Sequence, residues 1–216
     1  MSFVFFKTAF VRVNVVATSV LALTLTLAVP TASASIIEGG SGLVFGTDYS
    51  YTVKAPKGWM LDNESAAQQG VHAVFYPKGS HWDDSVIVAY ARSRPRTNTV
   101  NTVDEAAEFL IKDFHANGSP KYAGKRIKTI KTIAGKDAVI YHFTGDQWSN
   151  SEAVAYFVEE LTINFVVLTS RDRKTFVRSL AAFEALAKSY VFMGERPPAA
   201  NKPNAKATQA SEKTTN

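Results

Sequence analysis

The chain has 216 residues, no cysteine and a formal net charge of +5. Without cysteine it forms neither disulfides nor a lipid anchor of the bacterial lipoprotein type, so its folded part must rely on a packed core. Lys7 and Arg12 contribute +2, and the segment 195–216, with four bases and two acids, contributes another +2, which leaves +1 for the rest. A nearly neutral centre without a basic patch excludes nucleic acid as the expected partner.

The first 34 residues have the pattern of an export signal. Lys7 and Arg12 precede an uncharged apolar stretch at 13–29, and Ala32-Ser33-Ala34 places small residues where signal peptidase reads them. The stretch is also long enough to span a bilayer, so an uncleaved membrane anchor is the alternative. We favour cleavage after Ala34, which predicts a periplasmic or secreted protein with no stable membrane span.

One folded domain is predicted after the signal, at 35–194, followed by a tail. From Glu195 onward the sequence ERPPAANKPNAKATQASEKTTN contains no large apolar side chain. Such a segment cannot bury enough surface to offset its loss of conformational entropy. The residues 195–216 are therefore predicted to be disordered.

The first half of the domain predicts strands and then a helix. Three strands are expected, at 51–56, 71–76 and 86–92. Trp59, just after a Pro-Lys-Gly turn, is expected to fold back and cap the core. The clearest helix, 102–117, begins with a capping box, in which Thr102 and Glu105 satisfy free backbone amides. Its apolar stripe is expected to contain Ala106, Phe109, Leu110 and Phe114.

The second half predicts two hairpins and a closing helix. Their segments are 125–133, 137–145, 152–160 and 161–170 for the strands and 173–193 for the helix. The first of these is ambiguous, because Ile127, Ile130 and Ile133 recur every three residues as in a helix. β-Branched density and the turn at Gly135 favour a strand. The buried face of the closing helix is expected to carry Phe176, Leu180, Phe183, Ala187 and Tyr190.

The order of these elements indicates an α+β fold. Strands joined by hairpins pair antiparallel, and the two helices must pack their apolar faces on the resulting sheet. We therefore expect a mainly antiparallel sheet sandwiched between helices.

Three segments carry a family resemblance: YTVKAPKGW at 51–59, TIAGKDAVIYHF at 132–143 and FEALAKSYVFM at 183–193. They resemble the opening strand and turn, the central hairpin and the closing helix of the PsbP/DcrB-like family. The resemblance implies the same sandwich of sheet and helices. It also implies mostly non-catalytic roles, as photosystem extrinsic subunits, envelope proteins and adaptors that bind other proteins, and it supplies no catalytic residues.

The sequence contains none of the common catalytic motifs. It has no G-x-S-x-G, no H-E-x-x-H, no phosphate-binding glycine loop and no Rossmann fingerprint. We therefore expect a non-enzymatic module that binds a protein or a small ligand in the cell envelope and needs no cofactor. The alternative is a metal-dependent hydrolase that uses the loop His81-Trp82-Asp83-Asp84, because carboxylates and imidazole are metal ligands. The simpler interpretation of that loop, which we favour over the metal site, is a plain polar turn.

Counting chain reversals predicts where the binding residues lie. If each strand and helix crosses the domain once, the loops near 81–84, 117–124, 146–150 and 171–173 reach the same end of the sheet. Loops on a rigid sheet are where binding residues collect, and Trp, Tyr and Arg are the usual interface anchors. The candidate binding residues at this end are His81, Trp82, Asp83, Asp84, Tyr122, Asp146, Trp148, Arg171 and Arg173.

Overall fold

The computed structural model describes residues 36–46, 49–71 and 73–195. Within these ranges the strands are β1 Ile37–Glu38, β2 Ser41–Phe45, β3 Tyr49–Lys54, β4 Trp59–Asp62, β5 Val74–Pro77, β6 Ile87–Pro95, β7 Ala123–Lys131, β8 Asp137–Thr144, β9 Ser151–Val158, β10 Thr162–Ser170 and β11 Val191–Glu195. The helices are α1 Val103–Ala116, α2 Arg173–Lys188 and a short 3-10 helix at Ala67–Gln69. The predicted export segment and the predicted tail beyond Glu195 lie outside the described residues.

Two antiparallel sheets form the framework. The large sheet has the strand order β1-β4-β5-β6-β10-β9-β8-β7, and the small sheet has the order β11-β3-β2. Every pairing between neighbouring strands is antiparallel. The predicted α+β class with a mainly antiparallel sheet is therefore confirmed.

Alternating side chains of the large sheet build two separate cores. On β8, Ile140 joins a cluster that contains α2 and the small sheet, whereas Val139 joins a cluster that contains α1. We call these two sides of the large sheet the α2 face and the α1 face. Both are covered, which explains why β9 and β10 are almost continuously buried. None of the helices in the described ranges is long and apolar enough to cross a membrane.

Helix α1 begins as predicted. The Glu105 amide donates to Thr102 Oγ1 (3.3 Å), and Glu105 Oε2 accepts from the Thr102 amide (2.8 Å), which completes the capping box. The buried residues of the helix are Val103, Ala106 and Ala107. Phe109, which we predicted in the apolar stripe, is 49% exposed. It lies at the margin of the buried face, where it covers Arg94.

The closing helix is shorter than predicted. Helix α2 ends at Lys188, and the residues that follow form β11, which pairs with β3. The Ser189 hydroxyl donates to the Leu186 carbonyl (2.6 Å) and accepts from the Lys54 amide (2.7 Å), so it ties the helix end to the small sheet. Tyr190 is buried as predicted, but it lies beyond the helix. The bulky residues at 190–192 favour an extended chain, and here a partner strand was available.

The ambiguous segment 125–133 is a strand, as predicted. It is the edge strand β7, which has a bulge between Arg126 and Lys128 and ends at Lys131, so that Ile133 lies beyond it in the turn to β8. Four strands of the described residues were not predicted: β1, β2, β4 and β11, the last of which begins inside the predicted closing helix. Trp59, placed in β4, is 7% exposed in the core of the α2 face, which confirms that it caps the core.

Candidate functional site

The four predicted loops lie at one end of the large sheet. In the strand register Ile87 pairs with Ser170, Ser170 with Ser151, Ser151 with Thr144, and Thr144 with Ala123. These five residues form one row across the sheet, and each begins or ends a strand. The loops 78–86, 117–122, 145–150 and 171–173 all adjoin that row, and we call them together the loop end. The predicted geometry is confirmed.

The loop 78–86 is a turn that is held by hydrogen bonds among its own residues. The His81 amide donates to Asp84 Oδ1 (2.7 Å), and the Ser85 amide donates to the His81 carbonyl (2.8 Å). His81, Asp83 and Asp84 are exposed, whereas Trp82 packs part of its ring against the core of the α1 face. The tryptophan thus anchors the turn and still offers some of its surface to solvent.

The loops 117–122 and 145–150 are joined into one unit. The Gln147 amide donates to Ser119 Oγ (3.0 Å), and Gln147 Nε2 donates to the Asn117 carbonyl (3.2 Å). Gly145 has φ +92°, and a Cβ added to it would lie 2.2 Å from the Lys121 carbonyl oxygen. Only glycine permits this close approach of the two loops.

Trp148 lies on the same face of the sheet as Trp82. Its ring meets that of Phe114 edge to face, with the centroids 6.5 Å apart, and Phe114 belongs to α1. Its side chain is half-buried, like that of Trp82. The two tryptophans therefore stand at the loop end on the α1 face, one on each side of the tops of β6, β10 and β9.

Tyr122 and Asp146 are at the loop end but inside the protein. Tyr122 is 1% exposed and stacks between Phe114 and Phe143, with centroid distances of 3.9 and 5.5 Å. Asp146 is buried and accepts hydrogen bonds from the backbone amide and the side-chain amide of Asn150 (2.7 and 2.6 Å). In this structure both residues hold the loops in place and present no free surface to a partner.

Glu152 is a residue of this region that the sequence analysis missed. It is buried at the start of β9 and accepts a hydrogen bond from the Tyr122 hydroxyl (2.5 Å). The pKa of Glu152 is raised to about 7, chiefly by burial and in part by the nearby Asp146, whereas the hydrogen bonds from Tyr122 and Thr169 act to lower it. The sequence did contain a signal for this site, namely an acidic residue at an inward-facing position of an otherwise mostly apolar strand.

Arg173, one of the two predicted arginines, lies on the opposite face of the sheet from the tryptophans. Arg171 and Arg173 are exposed at the loop end. The Arg173 guanidinium, however, lies 5.9 Å from the ring of Phe176, which belongs to the α2 face. Asp172 between them caps α2 by accepting from the Lys174 amide (2.8 Å). The predicted residues thus share one end of the sheet without forming a single continuous surface.

The loop 78–86 does not present a metal site. Among the described residues, no three His, Cys, Asp or Glu side chains come together in an arrangement that could hold a metal ion. Asp84 already uses one carboxylate oxygen to close the turn on the His81 amide. The residues that the hydrolase alternative requires therefore do not supply the three protein ligands that a catalytic metal site uses.

The comparisons with known proteins find similarity to solved structures only. No family profile and no curated protein sequence matches the chain. Among solved structures it is similar to the cyanobacterial PsbP protein (CyanoP) from Synechocystis sp. PCC 6803, at 12% identity, a TM-score of 0.46 and coverage of 76% of this chain and 99% of that one. It is also similar to a mutant of the protein Mog1, at 11% identity, a TM-score of 0.40 and coverage of 74% of this chain and 95% of that one.

Proposed function

We propose that the chain is an exported, non-enzymatic protein of the cell envelope that binds a protein partner through its loop end. The observation that carries the proposal is the position of Trp82 and Trp148: both are half-buried, on one face and at one end of the sheet. Large aromatic side chains that remain partly exposed on a fixed support are the residues that most often anchor protein interfaces.

The rigidity of the loops supports binding. Hydrogen bonds within loop 78–86 and between loops 117–122 and 145–150 hold both tryptophans in place before any partner arrives. A partner then loses little free energy in ordering the site, since preorganisation removes that part of the binding cost. Exposed His81, Asp83 and Asp84 next to Trp82 add polar contacts to an aromatic centre.

Export is proposed from the sequence alone. The segment 1–34 has the basic start, apolar stretch and small-residue site of a signal peptide. Intact-mass measurement of the protein recovered from the envelope or the medium should give a chain that begins at Ser35. A full-length chain in the membrane fraction would instead indicate the uncleaved anchor.

Binding at the loop end is tested by site-specific photocrosslinking in living cells. A photoreactive residue in place of His81 should crosslink to a single partner, whereas one in place of Ala134, exposed in the turn between β7 and β8 at the opposite end, should not. The double variant Trp82→Ala with Trp148→Ala should lose the crosslink from position 81 while keeping its circular dichroism spectrum. Equal crosslinking from positions 81 and 134 would refute the proposal.

A matched variant controls for the loss of aromatic surface. Phe45 is 63% exposed in the small sheet, away from the loop end. Phe45→Ala removes a comparable aromatic ring and should leave the crosslink from position 81 unchanged. Loss of the crosslink in this variant as well would show that the effect of the tryptophans is not specific to the loop end.

A further inference from the structure

Three arginines occupy alternate positions: Arg92 and Arg94 lie near the end of β6, and Arg96 follows its last residue, Pro95. In a strand, alternate residues share a face, and Val88 and Tyr90 of the same series belong to the α1 face. Ser93, between the first two arginines, points to the other face, where its hydroxyl donates to Asn164 (2.6 Å). The arginines therefore form a row on the α1 face.

Arg96 is used to hold the structure together. Its Nε donates to Asn101 Oδ1 (2.7 Å), and its Nη1 donates to the carbonyl oxygens of Glu159 and Glu160 (2.8 and 3.0 Å). These bonds join the end of β6 to the turn between β9 and β10. Arg96 thus has a structural explanation that its neighbour in the row lacks.

Arg94 has a buried donor without an acceptor. Its Nε is shielded from solvent and makes no hydrogen bond, and no carboxylate of the described residues forms an ion pair with it. Burial lowers the pKa of Arg94, yet arginine stays charged at any physiological pH. A partly desolvated cation without a counter-charge is unfavourable. A ligand does not reach the shielded Nε, so a counter-charge from solvent must contact the two Nη groups of the same guanidinium.

One aromatic ring packs on this cation, and a second lies opposite its neighbour in the row. The Arg94 guanidinium carbon lies 4.2 Å from the ring centroid of Phe109, which is half exposed. Phe165 is half-buried on the adjacent strand β10, directly opposite Arg92 in the register. The side chain of Arg92 lies two residues, or about 7 Å, along the strand from that of Arg94. Its Nη2 reaches the Gln69 carbonyl oxygen at 3.4 Å.

We propose that Arg94, with Phe109 beside it, binds the carboxylate of a ligand that also carries a flat apolar group, and that Arg92 and Phe165, next in the row, extend the site. A guanidinium offers two parallel donors that match the two oxygens of a carboxylate, and the bond is charge-assisted. The neighbouring rings suit an apolar body better than a strongly hydrated dianion such as phosphate. This site lies along the strand, away from the loop end, and is independent of the binding proposed there.

The proposal is tested by NMR titration of the protein with sodium benzoate, a carboxylate on a flat ring. The Nε–H signal of Arg94 should move and saturate, while that of Arg178, exposed on α2, should stay in place. Arg94→Gln should weaken the affinity for benzoate at least about tenfold, and Arg94→Lys nearly as much, because an ammonium group lacks the fork. Arg178→Gln is the matched control and should have no effect.

Such a carboxylate could come from the C-terminus of a polypeptide or from a small molecule, and titration with a peptide distinguishes the two. A short peptide that ends in phenylalanine is titrated with a free and with an amidated C-terminus. Binding of the free form alone indicates a chain terminus as the ligand, and binding of benzoate alone indicates a small molecule. An Arg94 signal that moves no more than that of Arg178 overturns the proposal, as does equal binding of the amidated peptide. Crosslinking at position 81 should be unchanged in Arg94→Gln, so the two proposals can fail separately.

Discussion

Glu152 and Tyr122 show how a single buried pair can couple the loop end to pH. The carboxyl of Glu152 faces Tyr122, Tyr156, Tyr90 and Asp146, and none of these groups supplies a positive charge. Burial without a cation favours the protonated acid, which can remain hydrogen-bonded to the tyrosine. The same tyrosine stacks on Phe114, the residue that supports Trp148. A chain of three contacts, from Glu152 to Tyr122, from Tyr122 to Phe114 and from Phe114 to Trp148, therefore joins this carboxyl to a proposed binding residue.

The stability of the protein should depend on pH through Glu152. Its pKa is raised from 4.5 to about 7 on folding. The stabilisation from the protonated form is thus complete below about pH 4.5 and is lost as the pH rises through 7. Glu152→Gln, which stays neutral, should be more stable than the wild type at pH 8 by up to about 3 kcal/mol, with little difference at pH 4.5. Urea denaturation at both pH values measures this.

The control for this prediction is an exposed acid close to the strand that contains Glu152. Glu160 lies in the exposed turn between β9 and β10. Glu160→Gln should change the free energy of unfolding equally at both pH values. If Glu152→Gln behaved in the same way, the carboxyl of Glu152 would not be the buried, proton-binding group described above.

The contribution of Trp59 to stability can be measured with a single substitution. It packs into the core of the α2 face with Leu61 and Phe75, although its strand lies near the edge of the sheet. Trp59→Ala should lower the free energy of unfolding by about 3 to 5 kcal/mol, the usual range for removing a buried large aromatic ring. Phe45→Ala, at an exposed position, is the comparison and should be nearly neutral. A near-neutral Trp59→Ala in denaturant melts would contradict its placement in the core.

At the scale of elements, local sequence signals were reliable where side chains form hydrogen bonds with backbone groups a few residues away. The capping box at Thr102 and Glu105 was predicted from residue types and is present. The end of α2 was missed because no glycine or proline marks it. What stops that helix is the bond between Ser189 and Lys54 and the pairing of β11 with β3, both of which join residues far apart in the chain.

The capping box yields a prediction for α1. Thr102→Ala removes the acceptor of the Glu105 amide and should lower the free energy of unfolding by about 1 kcal/mol. Thr102→Ser keeps the hydroxyl and should restore most of that loss. Thermal denaturation of the three proteins compares them directly. Equal destabilisation by alanine and serine would mean that the threonine methyl group, and not the cap, is responsible.

At the scale of the whole molecule, the small sheet connects the two termini of the domain. Strand β11 pairs with β3, which follows the first two strands of the described residues, and Phe192 packs against the core of the α2 face. Strand β11 ends at Glu195, the residue at which the predicted tail begins. The domain therefore needs the chain up to that point for a complete second sheet.

Truncation tests this boundary. Removal of 196–216 should leave the melting temperature nearly unchanged, since that segment has no large apolar side chain to bury. Removal of 191–216 also deletes β11 and should lower the melting temperature by about 5 to 10 °C, because it removes both a strand pairing and the packing of Phe192. Two truncations with equal melting temperatures would show that β11 contributes nothing to the domain.

Periodicity and hairpin order were enough to determine the fold class and the shared end of the four loops. Antiparallel strands reverse direction at each connection, so the position of a loop follows from counting. Counting could not show that Tyr122 and Asp146 point inward or that Arg173 lies on the α2 face, because these depend on which side chains fill the two cores. Strands β1 and β2 were missed for a similar reason, since short edge strands are defined by their partners.

The sequence by itself determined the absence of disulfides, the export signal as an expectation, the capped helix and the alternation of buried residues, because each depends on residue types or on neighbours within a few positions. Only the tertiary structure decided that Glu152 is buried beside Tyr122 and that Arg94 has an unsatisfied donor beside Phe109. Burial and hydrogen bonding of a charged side chain depend on segments that are remote in sequence, and the chemistry of a site follows from those contacts.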